Sequence, residues 1–285
     1  MRRFDASATL LAALWIASEA TMLAIDPQMG YAGLGFIVYL AVMSIITYRV
    51  VPAPPANDDV LVATGTPVRL IARCAVVALA VVVVAVRGLV LVGVVRLPMF
   101  SQVYSGIESL APWLGSGLPN FVMEALVPGL IVVALGATAR QLGLTRPARG
   151  TLLATTIWIG LFVAAWIWRG AMGRLGIAAL AVFLLHNLLS NGFTEEFFTR
   201  GLVFSHLRAG LSTGWALAAQ AVIFALLHLP GSLHDERTFL GDVANVIALN
   251  VPLGYAMGLM ALRTRSLALP TTVHVALDTL RNVFS

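Results

Sequence analysis

The chain has 285 residues, 59% of them hydrophobic and 11% charged, with a mean hydropathy of +0.92; this composition argues against a soluble domain and for a polytopic membrane protein. A single cysteine, Cys74, rules out an intrachain disulfide framework and a multi-cysteine zinc site, and fits best as a small buried core residue. The net charge of +5 comes with 18 basic residues that are all arginine, most at the ends of apolar runs, so membrane orientation explains it better than nucleic-acid binding.

Apolar runs long enough to span lie near 8–25, 30–48, 70–95, 120–139, 151–168, 175–193, 213–230, 241–262 and 266–284. A span needs roughly 20 apolar residues, so the expectation is an all-α transmembrane bundle of about eight or nine helices. Arg2 and Arg3 precede the first run, which has no convincing small-residue cleavage site and reads as an anchor rather than a signal peptide. Two breaks divide the first half. Residues 50–68 carry VPAPPANDD and TGTP and read as a polar loop. Residues 96–120 hold Pro98, Pro112, Pro119 and several glycines, with Trp113 suited to an interfacial aromatic belt.

With nine spans and a cytoplasmic N-terminus, the inside ends carry Arg2, Arg3, Arg49, Arg69, Arg73, Arg140, Arg146, Arg149, Arg208, Arg263 and Arg265. The outside loops carry Arg96, Arg169, Arg174 and Arg237. Eleven against four is a clear positive-inside bias. The all-arginine usage points to a high-GC bacterium and hence to the inner membrane. The run 176–208 is too long for one straight span, at about 50 Å. Asn191-Gly192 is read as a break or kink, with a second helical piece starting near Thr194. Thr194 would cap it and place Glu195 and Glu196 in the favourable first turn.

The stretch NGFTEEFFTRGLVFSHLR, 191–208, is the most informative. Ionisable residues at bilayer depth each cost roughly 2.5–3.5 kcal/mol on insertion scales and mark a functional site by default. Glu196 and Arg200 are spaced i, i+4 with the acid first, the favourable order for a pair. Glu195 points about 100° away, free to aim elsewhere, and the two acids are not expected to share a partner. In AVIFALLHLPG, Phe224 and His228 share a helix face; in LPTTVHVALDTL, His274 and Asp278 do. Counted from the cytoplasmic ends, Glu195 lies roughly 20 Å deep, His228 roughly 24 Å, His274 roughly 14 Å and Asp278 roughly 20 Å. The depths overlap, as one convergent site requires.

A carboxylate and an imidazole can share a water, one acting as base. A second imidazole with an acid beside it can stabilise an oxyanion. Glu195, His228 and His274 are equally an acceptable zinc set. HExxH is absent. GLSTG, 210–214, has the letters of a nucleophile elbow but sits between two apolar runs and reads as a loop. His186 and His206 read as structural or interfacial. His234, Asp235 and Glu236 read as a solvated loop, and Glu124 and Arg87 as intramembrane charges that pair or face a cavity.

TEEFFTR, FALLH and HVALD fit the EExxxR, FxxxH and Hxxx(N/D) motifs of the CAAX protease and bacteriocin-processing family of intramembrane proteases, which includes the type II CAAX prenyl endopeptidases. The resemblance covers about 175–285, leaving 1–174 as transmembrane helices without a recognised motif. It implies a bundle of about eight helices with the site sunk in the membrane. It implies Glu195 and His228 as the water-activating pair, Glu196 and Arg200 as the second acid and its arginine, Phe224 as a supporting residue, and His274 with Asp278 as oxyanion stabilisers. Asp278 departs from the prenyl endopeptidase branch, which has Asn there. The resemblance leaves both a zinc mechanism and a metal-free glutamate mechanism open. The partners it implies are the bilayer and a peptide or membrane-protein substrate. The alternatives are a non-enzymatic bacteriocin immunity or scaffold protein, and an ion or proton transporter. The second is disfavoured by the lack of an internal repeat.

Overall fold

The computed structural model describes residues 6–54, 60–168, 177–233 and 238–284, and among them there is no strand. Ten helices follow one another: α1 Ala6–Ile25, α2 Pro27–Val50, α3 Pro67–Leu91, α4 Pro98–Glu108, α5 Gly117–Ala134, α6 Thr151–Trp168, α7 over 177–207, α8 Thr213–Ser232, α9 Phe239–Thr264 and α10 Ala268–Phe284. Of these, α1, α2, α3, α5, α8 and α9 are long and apolar enough to cross a membrane. The protein is an all-α polytopic bundle.

The helix starts are written locally. Prolines 27, 67 and 98 open α2, α3 and α4, where the missing N–H costs nothing. Asp26 accepts from the Met29 amide, Ser212 from Trp215 and Thr238 from Gly241, each satisfying an orphan donor. Ser212, the serine of GLSTG, is therefore a helix cap.

Within its most apolar stretch α9 is 50% buried and α3 only 11%, so α9 is the central post and α3 lies outside. Helices α1, α2 and α8 pack on α9. Gly254 lets α8 approach: a Cβ there would sit 3.1 Å from the Ala221 Cα. One apolar cluster joins α3, α5, α7, α8 and α9 around Phe197, Phe198, Leu202 and Phe204. A second joins α2, α6, α9 and α10 around Trp158, Met257 and Val273. Trp158 also donates from its indole to Thr47 of α2 at 3.0 Å.

Several expectations change. First, the break at 96–120 contains a helix of its own, because α4 forms behind Pro98. Second, the polar loop after α2 tucks its apolar residues inward. Val51, Val60 and Leu61 are buried, the Ala63 amide donates to the Ser205 carbonyl at 2.9 Å, and Arg208 donates to the Val60 carbonyl at 2.8 Å. Residues 55–59, with the rest of VPAPPANDD, lie outside the described residues. Third, α7 does not break at Asn191-Gly192. The helix runs through 177–207 and widens to i→i+5 turns over Leu188–Gly192 and Phe197–Phe204. Thr194 is not a cap; its hydroxyl donates to the carbonyl of Leu189, five residues back, at 2.5 Å. Gly192 is a contact point: a Cβ there would lie 2.3 Å from Val275 Cγ2, so the glycine admits α10 against α7. Cys74 is half-exposed rather than buried. His234, Asp235, Glu236 and the arginines 2, 3, 169, 174 and 237 lie outside the described residues.

Candidate active site

Wide turns in α7 re-aim its side chains between α8, α9 and α10. Glu196 and Arg200, one helical turn apart, both have fully buried side chains, with Arg200 Nη1 3.1 Å from Glu196 Oε1. Arg200 is held on its other side too. Its Nη2 donates to the Gly254 carbonyl of α9 at 2.9 Å, and its guanidinium lies 4.7 Å from the centroid of Phe224 on α8. The Gln220 side chain donates to the same carbonyl at 2.9 Å, so one backbone oxygen of α9 ties α7 and α8 together.

Glu196 has a second partner. His274 Nδ1 lies 2.8 Å from Glu196 Oε1, and its opposite nitrogen, Nε2, lies 3.8 Å from Glu195 Oε2. The two acids therefore share His274. Their 100° separation along α7 is bridged by an imidazole that offers one nitrogen to each. A carboxylate cannot donate, so Nδ1 carries a proton and Nε2 is the nitrogen turned to the site.

His228 is fixed in the same way. Its Nδ1 lies 2.8 Å from the Phe224 carbonyl and must donate to it, which leaves Nε2 3.5 Å from Glu195 Oε2. Phe224 packs on both imidazoles, 4.5 Å from His228 and edge-on at 6.2 Å from His274, centroid to centroid. One aromatic ring thus sets the positions of Arg200, His228 and His274.

Glu195 is 21% exposed, against none for Glu196, and its Oε2 is buried without a hydrogen-bond partner among the described residues. Both separations from the imidazole nitrogens are too long for direct hydrogen bonds. The arrangement suits a small hydroxylic molecule that donates to Glu195 and to His228.

Asp278 Oδ2 lies 3.8 Å from His274 Nε2, the same separation as Glu195 Oε2, and accepts from Asn191 Nδ2 at 2.8 Å. Glu196 makes the hydrogen bond to the opposite nitrogen of His274. Asn191 was legible only as a helix breaker, yet it precedes Glu195 by one turn and so shares its face.

The structure brings Glu195, Glu196, Arg200, Phe224, His228, His274 and Asp278 together. Among the described residues no group of three or more His, Cys, Asp or Glu side chains stands out as able to hold a metal ion. His186 and His206 turn their Nδ1 atoms to the carbonyls of Leu114 and Leu202, away from this cluster.

A cavity of about 250 Å³ opens on the site, lined by Glu195, Phe224 and His228 on one side and by Arg87 and Glu124 on the other. Arg87 and Glu124 form an ion pair at 2.5 Å. Asn120, unnoticed in the sequence although it is one turn from Glu124, accepts from Arg87 and from the Tyr104 hydroxyl, and donates to the Ser190 carbonyl of α7 at 3.4 Å.

Residues 177–280 match the family model described as type II CAAX prenyl endopeptidase Rce1-like. No curated protein and no solved structure matches the chain.

Proposed function

We propose that this integral membrane protein, whose residues 177–280 match the type II CAAX prenyl endopeptidase Rce1-like family, is an intramembrane endopeptidase whose water is activated by Glu195 and His228. The observation that carries the proposal is the buried, unpartnered Glu195 Oε2, with the Nε2 atoms of His228 and His274 at 3.5 and 3.8 Å.

In this reading the water donates to Glu195 and to His228 Nε2, whose lone pair is free because Nδ1 serves the Phe224 carbonyl. The water oxygen attacks the peptide carbonyl carbon as Glu195 takes its proton. His274 carries both protons: Nδ1–H stays with Glu196 and Nε2–H donates to the developing oxyanion. Collapse breaks the C–N bond and returns the proton from Glu195 to the leaving amine. Asp278, held by Asn191 and 3.8 Å from His274 Nε2, is a positioning group for the imidazole that serves the oxyanion. The catalytic set sits in 175–285, and 1–174 supplies the opposite wall of the cavity. The N-terminus is cytoplasmic, as the arginine distribution favours, and the membrane is a bacterial inner membrane, as the all-arginine usage favours.

The test is cleavage of a quenched-fluorescent peptide pool by detergent-purified protein in ¹⁸O-water, with metal content measured on the same sample. The proposal expects one ¹⁸O in each new carboxyl group, no stoichiometric metal and full activity with chelator. Activity lost on chelation and restored by zinc would make Glu195 a ligand rather than the base. If no pool is cut while the protein and its Glu195→Gln variant protect cells equally against a bacteriocin, the enzyme reading gives way to an immunity or scaffold role.

A further inference from the structure

The cavity beside Glu195 has a wall outside the matched segment 177–280 that carries the Arg87–Glu124 ion pair. Arg87 of α3 is locked through a single nitrogen. Its Nη1 meets both Glu124 and Asn120 of α5. Asn120 is itself pinned by the Tyr104 hydroxyl at 3.0 Å and by the Ser190 carbonyl of α7. The guanidinium is therefore immobilised from three helices before any substrate arrives. Its Nε is buried and has no hydrogen-bond partner among the described residues. With Nη1 committed, the Nε–Nη2 edge remains. That edge is the planar fork that grips a carboxylate through two parallel hydrogen bonds.

Glu124 meets Arg87 at Nη1 and leaves Nε without a hydrogen-bond partner among the described residues. The ion pair explains why an arginine is tolerated in an apolar helix; it does not explain why the pair lines the cavity that Glu195 and His228 also line. A purely structural pair would be better placed between packed helices, as Glu196 and Arg200 are, with neither side chain exposed. The Arg87 side chain keeps 16% of its surface accessible.

We propose that Arg87 is a specificity-determining residue that binds a carboxylate of the peptide substrate across the cavity from the Glu195–His228 pair. The inference rests on the endopeptidase reading for its substrate class. The carboxylate comes either from the substrate's C-terminus or from an acidic side chain near the scissile bond. Pre-ordering by Glu124 and Asn120 lowers the entropic cost of binding it.

Binding tests this independently of turnover. Three pools of fluorescent decapeptides are titrated onto the Glu195→Gln variant by anisotropy: free C-terminus, C-terminal amide, and free C-terminus with every Asp and Glu replaced by Asn and Gln. The free-acid pool should bind at least about tenfold tighter than one of the other two, the value expected of a charge-assisted bidentate contact. The weaker of the two names the source of the carboxylate. Adding Arg87→Gln should abolish the preference, and so should Arg87→Lys, which keeps the charge for Glu124 but lacks the fork. Melting of both double variants is recorded, and Arg87→Lys decides the matter if Arg87→Gln does not fold. Equal binding of all three pools, or a preference retained in a folded Arg87→Lys, overturns the proposal. A preference that follows Arg87 without cleavage by the parent protein would leave the carboxylate site standing and remove the protease reading.

Discussion

Exchanging Glu196 for Gln isolates the buried network from the reacting pair. Glu196 is fully buried, and one of its oxygens, Oε1, is shared by the Arg200 guanidinium at 3.1 Å and by His274 Nδ1 at 2.8 Å. Glutamine keeps the shape and removes the charge. Arg200 would then be a cation with no ionised partner in contact, held only by Thr199, the Gly254 carbonyl and the Phe224 ring. Breaking a buried pair from one side costs roughly 3–5 kcal/mol. At about 2–4 °C per kcal/mol for a large domain, that is a fall of roughly 6–20 °C in melting temperature. Glu195→Gln touches no hydrogen bond of Oε2, and its side chain is 21% exposed, so its melt should move by no more than about 1 kcal/mol, or roughly 2–4 °C. The six tryptophans give an intrinsic fluorescence signal for both melts in detergent. If Glu196→Gln melts with the parent protein while Glu195→Gln falls, the two acids have been assigned the wrong way round.

Two further substitutions probe the frame around the site. Gly192→Ala forces a methyl to 2.3 Å from Val275 Cγ2, so α7 and α10 must separate; overpacking of this kind costs about 1–3 kcal/mol, and the melt should fall by that much, with peptide cleavage falling as His274 moves from Glu195. An unchanged melt would show that α10 is not seated on Gly192. Asn191→Ala frees Asp278 to turn toward His274 Nε2, now 3.8 Å away, and should cut kcat by about tenfold, the effect of one misplaced charge worth about 1.4 kcal/mol, with little change in KM. A KM effect alone would place Asp278 in substrate binding instead.

Much of the fold was legible because the bilayer makes hydropathy decisive: apolar runs of the right length have few alternatives to a helix. The site residues were legible for the complementary reason, since Glu195, Glu196, Arg200, His228 and His274 stand out wherever charge is costly. What could not be read was geometry that depends on neighbours. Asn191-Gly192 has the local signature of a break, but α10 packs against the glycine and the wide turns absorb the strain, so α7 continues. A rotation of 100° per residue separates Glu195 from Glu196 on paper. Only the placement of α10 reveals that the two nitrogens of one imidazole reach both. Asp278 pairs with a residue 87 positions away, at a distance in sequence where spacing rules are silent. The helix α4 was hidden by proline counting, because Pro98 opens a helix as readily as it ends one. Arg87 and Glu124 were visible as charges, but the cavity that gives them a direction belongs to the assembled bundle.

The most direct test of the central claim is the rate of peptide cleavage by Glu195→Gln relative to the parent protein, at a temperature where both are folded. If Glu195 takes the proton of the attacking water, with His228 Nε2 3.5 Å away, the rate should fall by about 10²–10⁴ while peptide binding and melting are preserved. A folded Glu195→Gln variant that cleaves within about threefold of the parent, a difference of less than 1 kcal/mol in barrier, would contradict the account.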